Sequence, residues 1–317
     1  MYNEFLEFER PIAELEAKIK ELKNTSITDS ICIAEDLARL QEKSTDLTTS
    51  IFKSLTDHQV VQLARHPLRP HSIDYIKEIF DNFDELSGDR RYAKSEAIIS
   101  GIARLGDKSV MIIAQEKGRE TEEKIKRNFG MPKPECYRQA KRLMLLAEKF
   151  KLPVITFIDT AGAYPGIDAE KNNQSEAIAR NIFVMAKLKT PILSVIIGEG
   201  GSGGALAIGV ADKIMMLQYS IFSVISPEGC ASILWKDAAK AKEAAASMHL
   251  TSSKLADLKL IDKVIAEPLG GAHRDSKAIA RTIKETLISE LHQLNNKTID
   301  QIIADRYEKY RYLTATS

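Results

Sequence analysis

Over the first 85 residues, apolar side chains recur at intervals of three and four positions, a spacing that predicts amphipathic helices. The clearest stripe follows Pro11, a residue suited to a first helical turn, and comprises Ile12, Leu15, Ile19 and Leu22. Residues 31–40 and 51–63 offer further helical faces. We therefore expect residues 1–85 to form a helical extension at the start of the chain.

The pattern changes near Leu86, where β-branched runs begin to alternate with helical stretches. Apolar segments on both sides of Gly106-Asp107 predict a β-hairpin. Later apolar runs predict core strands at 153–159, 191–197 and 213–217. Helical patterns cover 135–150, 169–188, 203–211, 274–294 and 298–313. Strands that alternate with helices indicate an α/β fold.

This alternation also suggests how the chain is divided. We expect a helical extension over residues 1–85, an α/β core over residues 86–270 and closing helices over residues 271–317. The sequence contains no internal repeat or low-complexity linker that would favour more domains.

Composition excludes several function classes. The 317 residues carry a formal net charge of +1, which does not favour nucleic acid or an anionic membrane as a partner. Three widely spaced cysteines without a C-x-x-C pair argue against a disulfide framework and a zinc site, and they suit a reducing compartment. The N-terminus does not resemble a secretory signal, and no uncharged apolar run approaches the length of a membrane span. We expect a cytoplasmic protein with no metal on this chain.

The most informative segment is the glycine cluster at residues 198–204, which follows an apolar strand and precedes a small-residue helix. Glycine lets backbone N–H groups approach a ligand without obstruction by a Cβ atom. The first N–H groups of a helix also lack partners within it. The cluster therefore predicts a binding site for an anion or a developing oxyanion.

Another turn, which comes earlier in the chain, follows the same logic. Asp159-Thr-Ala-Gly-Ala-Tyr-Pro-Gly comes after the strand predicted at 153–159 and before a helix. Ligand sites in α/β proteins gather at the carboxyl ends of strands, so the two turns together favour a site built from paired loops. A third segment, residues 117–132, mixes cations with glutamates, and its composition predicts a solvated charged loop.

Two other functions fit the glycine cluster. Gly198, Gly200 and Gly203 match G-x-G-x-x-G, but a dinucleotide site would need an acidic residue about 20 positions later, and that position falls near Gln218. The cluster also matches the nucleophile elbow G-x-S-x-G of serine hydrolases around Ser202. Its triad would be completed by one carboxylate and one histidine from among Asp212, Asp237, His249 and His273.

Several long motifs together resemble the alpha subunits of bacterial acetyl-coenzyme A carboxylase carboxyltransferase. The resemblance runs from about residue 5 to residue 313. It rests on both turns and on three further motifs, which are Phe8-Glu-Arg-Pro-Ile-Ala-Glu-Leu-Glu, Arg127-Asn-Phe-Gly-Met-Pro and Ser226-Pro-Glu-Gly-Cys-Ala-Ser-Ile-Leu-Trp-Lys. The resemblance implies a crotonase-like fold (ClpP/crotonase class), a superhelix of ββα units with N- and C-terminal helical extensions.

The family resemblance also implies a function and partners. The implied reaction transfers a carboxyl group from carboxybiotin, carried on a biotin carboxyl carrier protein, to acetyl-coenzyme A to form malonyl-coenzyme A for fatty acid biosynthesis. The active site is implied to be shared with a beta subunit that carries a zinc ribbon, in an assembly of two alpha and two beta chains. Biotin carboxylase is the remaining implied partner.

The resemblance assigns roles to individual residues. The backbones of Gly203 and Gly204 would form an oxyanion hole for the biotin oxygen. Glycines of both turns would shape the substrate pocket, namely Gly162, Gly166, Gly200 and Gly201. Lys236 would lie near the substrate carboxylate or the coenzyme A phosphates, and a surface lysine on a helix is the alternative. A serine hydrolase or peptidase of related fold using Ser202 is the alternative function.

Overall fold

The computed structural model describes residues 5–25, 32–94 and 96–315. The described residues before Phe80 are mainly helical, but residues 81–85, which were predicted to belong to the helical extension, form a strand that pairs with the predicted hairpin. Within the described residues, four α-helices precede the sheet, namely α1 (Arg10–Thr25), α2 (Cys32–Lys53), α3 (Asp57–Ala64) and α4 (Ser72–Ile79). The faces predicted at 31–40 and 51–63 prove to be one long α2 and a separate α3, while Ile31 lies outside the described residues. The break occurs at Thr56, whose side chain caps α3 by accepting a hydrogen bond from the Gln59 N–H.

Eight strands form one mixed sheet. They are β1 (Asp81–Glu85), β2 (Ile98–Leu105), β3 (Lys108–Gln115), β4 (Val154–Thr160), β5 (Ile192–Gly201), β6 (Lys213–Leu217), β7 (Ile221–Ser223) and β8 (Lys263–Ile265). Their order is β1-β2-β3-β4-β5-β6-β8, and β7 pairs with the far end of β5. Pairing is antiparallel from β1 to β3, which confirms the predicted hairpin, and parallel from β3 onward.

Within the described residues, ten more α-helices follow β3. They are α5 (Thr121–Lys126), α6 (Pro134–Phe150), α7 (Ile167–Lys171), α8 (Gln174–Lys187), α9 (Ser202–Leu206), α10 (Pro227–Trp235), α11 (Ala241–Ser247), α12 (Ser252–Asp257), α13 (Ser276–Asn295) and α14 (Ile299–Ala315). The helix predicted at 169–188 is interrupted at Asn173, which adopts a left-handed conformation between α7 and α8. The helix predicted at 203–211 is shorter, because the chain leaves α9 after Leu206 through tight turns.

The sheet is covered on both faces, so its central strands β4 and β5 are almost continuously buried and mostly apolar. Alternate residues of each strand face opposite layers. Ile112 and Ile155 pack with α4 and α13 on one face, whereas Met111 and Val154 pack with α6 and α8 on the other. The α/β class is therefore confirmed, while the domain boundaries at residues 85 and 270 stay a prediction. Within the described residues, no helix combines the length and apolar character needed to span a bilayer.

One buried arginine fastens the last helix to the sheet. Arg306 of α14 forms two hydrogen bonds with the Asp212 carboxylate, at 2.7 and 2.8 Å. Its remaining donors contact the carbonyl oxygens of Met185, Leu188 and Thr190 at 2.7–3.0 Å. Both charged side chains are almost fully buried, so each depends on the other for neutralisation.

We predict that Arg306→Met destabilises the protein by about 3–5 kcal/mol, because Asp212 would remain buried without its cation. The free energy of unfolding from urea denaturation at pH 7 measures the loss. The control is Arg180→Met, which removes an exposed pair with Glu176 and should cost about 0.5 kcal/mol or less. Similar losses for the two variants would show that the buried pair is not needed for stability.

Candidate active site

The two glycine-containing turns lie side by side at the carboxyl edge of the sheet. Strands β4 and β5 are parallel neighbours, and Thr160 near the end of β4 is in register with Gly200 near the end of β5. The first turn comprises residues 161–166, which follow β4. The second turn comprises the glycine cluster at residues 198–204, where β5 ends and α9 begins. The paired-loop arrangement expected from the sequence is therefore present.

The turns are in close backbone contact, and this contact requires glycine. A Cβ atom at Gly201 would lie 2.2 Å from the carbonyl oxygen of Ala161. A Cβ atom at Gly204 would lie 2.6 Å from the backbone nitrogen of Ala163 and 2.6 Å from the carbonyl carbon of Gly162. These glycines therefore let one turn pack against the other, whereas the sequence suggested only that they keep the way open for a ligand.

The other predicted glycines have different surroundings. A Cβ atom at Gly203 would meet only the Ile178 side chain, at 3.6 Å, which is an ordinary contact distance. At Gly166 the same atom would collide with the ring of Tyr164 at 2.3 Å. At Gly200 it would lie 2.8 Å from the ring of Phe222. Gly203 is therefore the most open position in the second turn.

Lys236 lies at a helix end. It ends α10 in the left-handed conformation, with φ 56° and ψ 26°, and its side chain is exposed. α10 begins at the Ser226 cap, where the serine hydroxyl accepts a hydrogen bond from the Gly229 N–H at 3.1 Å. The exposure of Lys236 is compatible with both the binding role and the surface role.

A chain of five charged groups lies against the turns. Lys117 Nζ contacts Asp159 Oδ1 at 2.7 Å and Glu199 Oε2 at 2.8 Å. Arg65 continues the chain, because its side chain contacts Glu199 at 2.6 Å and Glu228 of α10 at 2.7 Å. The chain therefore joins α3, the ends of β4 and β5, and α10.

The charges in this cluster control one another's ionisation. Burial alone would raise the pKa of Glu199, but Lys117 and Arg65 outweigh burial and hold that pKa below its ordinary value. Burial alone would lower the pKa of Lys117, but Asp159 and Glu199 outweigh it and raise that pKa. Both groups are therefore charged at neutral pH.

Most of this cluster was not predicted from the sequence. Lys117 belongs to the segment predicted as a solvated charged loop, and its side chain is only 19% exposed. That prediction is correct for α5, which has no buried residue, and wrong for Lys117. No local pattern marked Arg65 or Glu199, whose contact joins residues 134 positions apart.

Three of the four residues that could complete a catalytic triad with Ser202 have other partners. The Asp212 carboxylate is engaged by Arg306, and Asp237 accepts a hydrogen bond from the Ala239 N–H. His273 faces Glu9, with Nε2 3.5 Å from Oε1. These contacts do not support the hydrolase alternative.

Glu9, His66 and His273 place potential metal ligands within 4.8 Å of one another. The two imidazole rings are stacked, with centroids 3.9 Å apart and planes inclined by 17°. An imidazole binds a metal in the plane of its ring, so two nearly parallel stacked rings do not converge on one ion. This cluster does not fit a metal site, and the expectation that the chain carries no metal stays a prediction.

An apolar groove of about 260 Å³ begins beside the second turn. Its lining includes Ser202, Leu206, Val210, Phe222, Val224 and Tyr310. Val224 is 76% exposed, and Ile233 and Leu234 on α10 are 70% and 65% exposed. Several large exposed apolar side chains near one site are typical of a surface that meets another molecule.

Comparison with known proteins decides the family. A family model described as acetyl co-enzyme A carboxylase carboxyltransferase-like matches residues 5–314. The acetyl-coenzyme A carboxylase carboxyl transferase subunit alpha of Pseudomonas fluorescens is 59% identical over 305 residues, which cover 96% of this chain and 97% of that protein. This chain belongs to the acetyl-coenzyme A carboxylase carboxyltransferase alpha-subunit family. The Azotobacter vinelandii protein of the same name is 57% identical over 96% of both chains. The family assignment does not favour the serine hydrolase alternative.

Solved structures confirm the crotonase-like fold expected for this chain. Transcarboxylase 12S superimposes with a TM-score of 0.58 at 19% identity, over 71% of this chain and 42% of that one. A Pseudomonas malonate decarboxylase hetero-tetramer in complex with coenzyme A gives a TM-score of 0.56 at 16% identity, over 68% of this chain and 86% of that one. At such low identity these matches establish the fold alone.

The charged cluster predicts an acid-dependent loss of stability. The pKa of Glu199 is lower in the folded protein than its ordinary value of 4.5. The ionised carboxylate therefore contributes fully to the free energy of unfolding above pH 4.5, and this contribution is lost as the pH falls through the lowered pKa. We predict that wild type is more stable than Glu199→Gln at pH 7, and that this difference narrows below pH 4.5. Urea denaturation between pH 7 and pH 3.5 measures it.

Glu176→Gln is the control, because Glu176 is 55% exposed in an isolated pair with Arg180. Its difference from wild type should stay small throughout the range. A difference between wild type and Glu199→Gln that does not change with pH would contradict the ionisation assigned to the cluster.

Proposed function

We propose that this chain forms one side of a carboxyltransferase active site, in which it stabilises a developing oxyanion with backbone N–H groups. The observation that carries this proposal is the backbone contact between the turns after β4 and β5. This contact fixes the backbone groups of the two turns at the carboxyl edge of the sheet, where the ligand sites of α/β folds are usually found. Preorganised donors aimed at developing charge commonly lower the activation free energy more than any other catalytic effect.

Gly203 and Gly204 are the proposed donors. They are the second and third residues of α9, so their N–H groups precede the first hydrogen bonds within that helix. The open position of Gly203 leaves room beside these groups. Gly162, Gly166, Gly200 and Gly201 are proposed to shape the walls of the same site. Gly201 and Gly162 lie at the contact between the turns, whereas Gly166 and Gly200 lie against the rings of Tyr164 and Phe222.

The residues present fit a biotin group. Two N–H donors suit its ureido oxygen, and the apolar groove beside Ser202 suits its ring and aliphatic chain. When bound, carboxybiotin would supply the carboxyl group and, once decarboxylated, a basic nitrogen. The task of this chain is to hold the oxyanion, orient the reactants and exclude water. The proposed acceptor is acetyl-coenzyme A, which would become malonyl-coenzyme A.

We further propose that the site is completed by a beta subunit with a zinc ribbon, in an assembly of two alpha and two beta chains. The exposed apolar side chains of α10 and Val224 support a partner at this edge. A biotin carboxyl carrier protein would deliver the biotin, and biotin carboxylase would load it. Lys236 is proposed to attract an anionic group of the substrate. A cytoplasmic location stays a prediction.

We predict that the isolated chain does not catalyse malonyl-coenzyme A-dependent carboxylation of free biotin, and that adding the beta subunit restores it. The reason is that this chain offers one backbone oxyanion site where two carbonyl-derived anions must be stabilised. Steady-state assays of each chain alone and of the mixture measure this. Turnover by the isolated chain would contradict the shared site. Covalent labelling of Ser202 by a fluorophosphonate would support the hydrolase alternative.

A further inference from the structure

The end of β3 contacts both turns through one buried side chain. Gln115 is the last residue of β3 and is fully buried. Its amide oxygen accepts a hydrogen bond from the Asp159 N–H at 3.1 Å. Its amide nitrogen donates to the carbonyl oxygen of Gly204 at 2.7 Å. One side chain therefore bridges the end of β4 and the helix α9 that follows β5.

The bridge satisfies a carbonyl group that α9 leaves free. In a continuing α-helix the Ile208 N–H would bond to the Gly204 carbonyl oxygen. Here the helix ends, and the Ile208 N–H donates to Ala205 instead, at 3.2 Å. The Gln115 amide takes the place of that missing partner and orients the peptide that follows Gly204.

Strand pairing alone does not provide this connection. The ladder between β3 and β4 runs from the Met111–Val154 pair to the Ala114–Phe157 pair and stops before Asp159. Beyond that point, among the described residues, the hydrogen bonds and ion pairs that join residues 115–117 to the ends of β4 and β5 and to α9 come from side chains. Gln115 supplies a neutral bridge, and Lys117 supplies a charged one to Asp159 and Glu199.

We propose that Gln115 is a positioning residue for carboxyl transfer, which sets the placement of the Gly204 backbone relative to the first turn. This inference rests on the proposed function. The Gln115 amide bonds to the Gly204 carbonyl oxygen. In an α-helix the carbonyl groups point away from the free N–H groups of the first turn, so Gln115 acts through the backbone and does not touch the reactants. A misplacement of about 1 Å can lower a rate by roughly 10²-fold, so this bridge matters for turnover more than for binding.

The test uses two variants of similar size in the complex of this chain with its beta subunit. Gln115→Met removes both hydrogen bonds, and we expect kcat for malonyl-coenzyme A-dependent biotin carboxylation to fall by roughly 10²-fold with little change in KM for malonyl-coenzyme A. Gln115→Glu keeps the acceptor but donates to the Gly204 carbonyl only when protonated. Burial favours the neutral acid and raises its pKa, so its kcat relative to wild type should rise as pH falls from about 8.5 to about 6.

Thr156→Val is the matched control. It removes a buried 2.7 Å hydrogen bond to Ser194 within the same strands β4 and β5, away from both turns. It should lower stability as Gln115→Met does, and it should leave kcat within about twofold of wild type.

The possible outcomes distinguish a failure of this inference from a failure of the proposed function. If wild type with its beta subunit is inactive, the proposed function fails, and the positioning role fails with it. If wild type is active and Gln115→Met retains kcat within threefold, or loses activity only through KM, the positioning role alone is wrong. If Gln115→Met does not fold, the pH profile of Gln115→Glu decides, and a ratio to wild type that does not rise toward low pH overturns the proposal.

Discussion

The candidate site depends on the direct contact between two backbones. The turn after β5 lies against the turn after β4 so closely that Gly201 and Gly204 leave no space for a side chain. A packed interior transmits even small displacements, so any residue that separates the turns changes the geometry of every group they carry. The glycines are thus needed for the architecture of the site, in addition to any access they give to a ligand.

Charges buried beside this contact explain why distant elements belong to the site. Two cations, Lys117 and Arg65, face three carboxylates, Asp159, Glu199 and Glu228. Burying such groups is costly unless each is paired, so the cluster constrains the elements that supply its members. Arg65, which directly follows α3, contacts Glu199 near the end of β5 and also Glu228 of α10, the helix that carries the exposed apolar side chains. A partner bound to α10 would therefore be linked to the end of β5 through two ion pairs that share Arg65.

The sequence allowed the prediction of features that local pattern encodes. Strands β4, β5 and β6 were predicted because apolar β-branched runs indicate buried strands. The two turns were predicted because glycine clusters indicate a backbone conformation or a close approach that other residues do not allow. Their adjacency followed from parallel strand order. The break at Asn173 and the short α9 were missed, since tertiary contacts decide where those helices end. Gln115 and Lys117 were missed for a related reason. A polar residue at the end of a strand or just after it has the same local pattern whether its side chain faces solvent or bridges two turns.

The central claim is that backbone contact between the turns determines activity, and a pair of glycine variants tests it most directly. In Gly204→Ala the new Cβ atom would lie 2.6 Å from the backbone of Gly162 and Ala163, whereas in Gly203→Ala it would meet only Ile178 at 3.6 Å. Both variants keep every N–H group. The measurement is kcat for carboxyl transfer by each variant in complex with the beta subunit, with folding verified by circular dichroism. We predict a loss in kcat of roughly 10²-fold for Gly204→Ala. Gly203→Ala adds a methyl group to the space beside the proposed donors but leaves the turns in contact, so its loss in kcat should be smaller, with the larger change in KM for biotin. A folded Gly204→Ala complex with kcat within twofold of wild type would contradict the claim.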